Sequence, residues 1–188
     1  MNKLLEEFFS IEGILNRKAR DFLLTVQQEG ISWSLYEKQE MVINEYHYNV
    51  QRLIIKYHPD WELLICSDDA ETRLVTLKVV RDGFLDLSSS ANFVKNLIYS
   101  FIIGNEEEKK VAKDLIIYRG WLIHYTEMIK AIIADFHSQD LDYYSYKDIG
   151  DFLVLINAHD LLIRHVNIGM RNVDEEVVEL AEQYSATL

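Results

Sequence analysis

Apolar residues recur along this chain at alternating steps of four and three. The clearest seam runs through Val111, Leu115, Tyr118, Leu122, Tyr125, Ile129, Ile132 and Phe136. That is the period of one face of an α-helix. A helix of that length must lie against others to cover its stripe. The pattern therefore predicts a long helix at roughly 105–137, with the other elements gathered around it.

The same spacing predicts helices on both sides of it. Leu4, Phe8, Ile11, Leu15, Phe22 and Val26 mark one over about 3–28, closed by Gly30 as a C′ glycine. Ser34 and Glu37 match a capping box, and Val42, Tyr46, Val50, Leu53 and Tyr57 carry the next stripe to about His58. Pro59 ends it, having no amide hydrogen to donate. Residues 60–66 fit either a short helix or a short extended piece. Asp68 and Glu71 match another capping box, before a stripe through Leu74, Leu77, Val80, Phe84 and Leu87. The serines at 88–90 cap a shorter helix that ends at Gly104, and Asn105 caps the long one. After a connection at 138–150, a helix resumes near Ser145 or Asp148 with Phe152, Ile156, Ile163 and Val166 inward, and Gly169 ends it. Asn172 and Glu175 match a last capping box, ahead of Val173, Val177, Leu180 and Tyr184. The expectation is an all-α single domain over 1–188, a bundle of six to seven helices.

Composition supports long regular elements, with one proline and seven glycines in 188 residues. No stretch reaches the roughly 18 apolar residues of a membrane span. Glu6 and Glu7 interrupt any apolar leader. The lone Cys66 cannot form an internal disulfide; it reads as a small buried hydrophobe in a reducing compartment, so a cytoplasmic location is expected.

Charge narrows the partners. The formal net charge is −12. Nucleic-acid backbones and anionic membranes both call for a basic face, so neither is expected as a partner. Eleven acids and three bases lie between Asp135 and Leu188, a net of −8. This is either a solvated surface or a landing site for a basic protein.

Enzyme signatures are sparse. GxGxxG, GxxxxGK[ST], HExxH and GxSxG are all absent, and no cysteine pair is present to hold zinc. Nor is there a Glu-x-x-His pair for a di-iron bundle site. No cofactor is expected. Arg119-Gly-Trp-Leu-Ile-His124 resembles the RxxxxH motif of the HEPN family of RNases. The resemblance implies that Arg119 stabilises a phosphate and His124 acts in acid–base cleavage. Gly120 stands where that family usually has a polar residue. Taken alone, the pair is a surface arginine and a partly buried histidine. His159-Asp160 is similar to the adjacent pair of the HD hydrolases, which would imply metal ligation, with His124 and Asp174 as possible completing ligands. Neighbours on a helix diverge by about 100°, however.

The third candidate binds rather than catalyses. Asp140, Asp142, Tyr143, Tyr144, Tyr146 and Asp148 put three tyrosines among acids on an expected loop. Tyrosine offers a large contact area at low rotamer cost, and acids steer a basic partner. In composition this stretch resembles the epitope of the small helical immunity proteins that neutralise colicin nucleases. The alternative is that the tyrosines fill the core beneath the loop. Trp33, Trp61 and Trp121 read as core or half-buried anchors. The leading reading is an acidic interaction module, an inhibitor or immunity protein that occludes a basic partner such as a toxin nuclease. The alternative is an enzyme built on Arg119/His124 or His159/Asp160. Apolar stripes on so many helices also leave homo-oligomerisation open.

Overall fold

A computed structural model describes residues 2–188, and within them it is all-α, with ten α-helices, one 3₁₀ turn and no strand. Packing divides the chain into two compact units, one up to Asp86 and one from Leu87 on.

The first unit holds α1 (Asn2–Glu29), α2 (Trp33–Tyr57), α3 (Trp61–Ile65) and α4 (Ala70–Asp82). Helices α1 and α2 form an antiparallel hairpin, and α4 packs on both at its base. Leu4, Phe8, Tyr46, Val50, Leu53, Leu64, Val75 and Val79 make the core there. The Tyr46 hydroxyl donates to Asp82, 2.7 Å away, and Lys78 pairs with Glu12 at 2.7 Å. No residue between 9 and 45 is buried, so the distal half of the hairpin stands clear of the core as a two-helix arm.

The ambiguous stretch at 60–66 is helical, because the Asp60 side chain accepts from the Leu63 amide and caps α3. Gly30 closes α1 at φ +79°, as the spacing predicts. The next helix begins earlier than Ser34, with Ser32 as its cap. The helix expected to reach Leu87 stops at Asp82, where Gly83 caps it and Phe84 turns to φ +58°. Its cap is Asp69 rather than Asp68. Two expectations fail outright: Cys66 is exposed at the end of α3, and Trp33 is 75% exposed at the start of α2. Both sit at helix termini, where a stripe has no second turn to bury against.

The second unit holds α5 (Ala91–Ile103), α6 (Glu106–Arg119), the 3₁₀ turn (Trp121–His124), α7 (Thr126–His137), α8 (Tyr143–Leu155), α9 (His159–Gly169) and α10 (Glu175–Ser185). Helix α5 is the most apolar and packs on α6 and α8; α9 packs on α7, α8 and α10. Asn105 and Glu108 complete a reciprocal capping box at the head of α6, as the sequence reading has Asn105 doing. The span 105–137 is helical along most of its length, but Gly120 at φ +61° divides it. The left-handed turn ends α6 at Arg119: Tyr118, in the last turn of α6, is exposed, while Leu115 before it and Leu122 beyond Gly120 stay buried. A second left-handed residue, Asn157 at φ +55°, divides α8 from α9 and leaves Ile163 exposed. The last helix is capped by Asp174, not Asn172. No helix among the described residues is long and apolar enough to cross a membrane.

Candidate functional site

The expected tyrosine loop is the head of a helix. The Asp142 side chain accepts from the Ser145 amide at 2.7 Å and starts α8 at Tyr143. Those amide hydrogen bonds hold the Asp142 carboxyl below its ordinary range. The helical period then sends the three tyrosines to different places. Tyr144 is 73% exposed, Tyr143 is half-buried edge-on against it, and Tyr146 is fully buried. Asp148 pairs with Lys109 of α6 at 2.6 Å. Asp140 is exposed in the connection before α8. Of the six expected contact residues, Asp140 and Tyr144 are therefore fully presented, Tyr143 is half-buried, Asp142 caps, Asp148 bridges two helices, and Tyr146 belongs to the core.

Tyr146 anchors a buried polar cluster between α7, α8, α9 and α10. Its hydroxyl donates to the His165 carbonyl at 3.1 Å, and its ring stacks on the His165 ring at 3.9 Å. His165 Nε2 lies 3.0 Å from the Tyr146 carbonyl, which only accepts, so this nitrogen carries the hydrogen. His165 Nδ1 is then an acceptor, and His137 Nε2 donates to it at 2.9 Å. Burial, reinforced by His137, pushes His165 down to about 3. Burial lowers His137 as well. Both rings are thus neutral near pH 7, with their tautomers fixed by the backbone. Burial pushes Tyr146 up to about 12. The Tyr184 hydroxyl lies 2.8 Å from Asp151 Oδ1 and 2.9 Å from the Lys147 carbonyl, and burial raises its pKa further than that of Tyr146.

Two glycines make room for these rings. A Cβ on Gly169 would overlap the Tyr146 hydroxyl and approach Ala181; one on Gly150 would overlap the Tyr184 ring. Gly169→Ala is expected to cost about 2 kcal/mol, since Tyr146 has no space to yield. Urea unfolding of the variant checks it.

The acids of this unit lie mostly outward. Glu175, Glu179 and Glu182 form a stripe on α10 at i, i+4 and i+7, opposite the buried Val177, Leu180, Ala181 and Tyr184. Glu176, Asp135, Asp140 and Asp160 are also exposed. None of these seven carboxylates has a cation partner among the described residues.

A cleft of about 610 Å³ lies where the two left-handed turns meet. That volume falls within the roughly 300–1,000 Å³ of ligand sites. Its walls are largely aliphatic, from Ile116 and Gly120 through Ile129 to Leu155 and Leu161, with Thr126 and Asn157 as polar members.

The two enzyme candidates lie outside this cleft. Arg119 ends α6 and His124 ends the 3₁₀ turn, so the Gly120 break puts them on separate helical pieces; His124 is exposed. His159 and Asp160 open α9 and are both exposed. No group of three or more metal-ligating side chains occurs among the described residues, so His159 and Asp160 are not joined there by His124 or Asp174 into a metal cluster. Sequence reasoning missed the His137–His165 pair, whose members lie 28 residues apart. The one available signal was that His165 falls on the buried face of α9 with Leu161, Leu162 and Gly169. Comparison of the chain with protein-family models, with curated proteins and with solved structures finds no match in any of the three.

Proposed function

We propose that this chain is an acidic protein-interaction module that covers a basic partner, in the manner of an inhibitor or immunity protein set against a cationic nuclease. The observation that carries the reading is the glutamate stripe on α10. Glu175, Glu179 and Glu182 repel one another along one helix face with no cation among the described residues set against them. An external cationic surface relieves that repulsion. Asp140 and the exposed Tyr144 extend the same chemistry at the head of α8, the tyrosine supplying contact area and the acids steering approach. An exposed thiol at Cys66 accords with a reducing, cytoplasmic setting.

The test replaces Glu175, Glu176, Glu179 and Glu182 with glutamine. These side chains are exposed, so the fold is expected to stay intact. Basic proteins captured from the native host by the parent chain are expected to bind the variant at least about tenfold more weakly, through a slower association rate. Added salt should weaken the parent's binding in the same way. Capture that is unchanged by both the substitutions and salt overturns the reading.

A further inference from the structure

The cleft where the turns at Gly120 and Asn157 meet is unlike the rest of the chain in composition. The chain is 27% charged and 12% aromatic, yet none of the residues lining this cleft is charged or aromatic. Eight of the twelve are leucine or isoleucine, and the polar side chains are Thr126 and Asn157 alone. A water molecule is held well by roughly two to four polar partners, and most of this hollow offers none. Water there gives way readily to an apolar group.

Both polar residues sit at helix heads. Helices α7 and α9 open on the cleft through Thr126 and Ala158, and neither has a capping side chain. Helices α2 to α6, α8 and α10 each have one. The first-turn amides of α7 and α9 are thus left to an outside acceptor. Glu127 and Asp160 lie exposed in those same first turns. Their charge offsets the attraction of the helix heads for an anion, and no cation lines the cleft to restore it.

We infer that this cleft binds a small uncharged amphiphile: a saturated chain with a carbonyl group near one end. The chain lies along the leucine and isoleucine walls. The carbonyl oxygen accepts from the Thr126 hydroxyl, the Asn157 amide or a first-turn backbone amide. With no ring to stack on, a flat aromatic ligand gains little there. Counting about 30 Å³ for each methylene-sized volume, ten carbons take up roughly half of the 610 Å³. No titratable side chain lines the cleft, so it holds its ligand without proton transfer.

Isoleucine methyl NMR of the full chain tests this, because Ile116, Ile117, Ile123, Ile129 and Ile156 all line the cleft. The probes are methyl butyl, methyl hexyl and methyl octyl ketone. Saturable shifts are expected at those methyls, while Ile14, Ile31 and Ile43 of the first unit stay unmoved. Affinity should tighten about threefold to fourfold for each added methylene. Octanoate has the same number of carbons as methyl hexyl ketone but carries a charge, and should bind at least about tenfold more weakly. Thr126→Trp fills the hollow from an exposed position, so circular dichroism should hold while binding drops at least about tenfold. No saturable shift up to the solubility limit of methyl octyl ketone overturns the inference. So does affinity that ignores chain length, octanoate that binds as tightly, or a folded Thr126→Trp chain that binds as before.

Discussion

Replacing Tyr146 with alanine is expected to destabilise the second unit by about 4 kcal/mol, while the same change at Tyr144, two residues earlier, should move stability by less than about 0.5 kcal/mol. The contrast follows from the helix they share. Tyr146 is the largest of the fully buried side chains, wedged against His165, Tyr184 and the bare face of Gly169. Its removal leaves a cavity that rigid helices cannot close, and it strips the His165 carbonyl of its side-chain donor. Tyr146→Phe keeps the volume and loses only that donor, so about 1–2 kcal/mol is expected. Because the chain has two units, the measurement should follow the second unit alone. The fluorescence of the buried Trp121 in urea, in a chain whose other two tryptophans are phenylalanine, does this. Equal effects at Tyr144 and Tyr146 would contradict the placement of the two rings.

Acidification below about pH 6.5 should weaken the same unit through its buried histidines. His165 is held near 3 in the folded chain, against 6.5 when unfolded, so between these values the unfolded chain binds the extra proton. Its contribution to stability is complete above pH 6.5 and is lost as pH falls below it. Each unit of pH costs about 1.4 kcal/mol, so moving from pH 7 to pH 5 costs about 2 kcal/mol. His137, also lowered by burial, acts in the same direction. Asp142 is held below 3.8, so its loss comes only under about pH 4. The window from pH 6.5 to 5 therefore belongs to the histidines. His165→Gln keeps a polar side chain without the titration and should flatten the slope across that window, even if the variant is less stable throughout. A parent chain whose unfolding midpoint is the same at pH 7 and pH 5 would rule this out.

Much of the fold was legible because apolar period and capping chemistry are local. The stripes of α1, α2 and α5, the Gly30 stop and the Asn105 cap all depend on residues within a few positions of one another. Capping slipped by one or two residues where two capping side chains compete, as at Ser32 and Ser34 or Asp68 and Asp69. The breaks at Gly120 and Asn157 were harder. A lone glycine is tolerated within a helix, and the turn between α8 and α9 is made by an asparagine at φ +55° rather than by a glycine that would mark it. Neither break changes the apolar spacing, so one long seam and two packed helices read alike. The contact residues were legible only in composition. Whether a tyrosine at 144 or 146 faces water depends on where the helix starts, and that was set by Asp142, a residue read as part of a loop. The His137–His165 pair depends on how α7 crosses α9, which no local pattern encodes.

The cleft in the second unit has walls built from the ends of helices rather than their middles. Gly120, Leu155, Asn157 and Ala158 all sit where the chain changes direction. Termini accept insertions and new side chains with far less disturbance than packed interiors. This hollow is consequently where descendants of the sequence can acquire or exchange a ligand while the cluster around Tyr146 stays untouched, and where an engineer would begin.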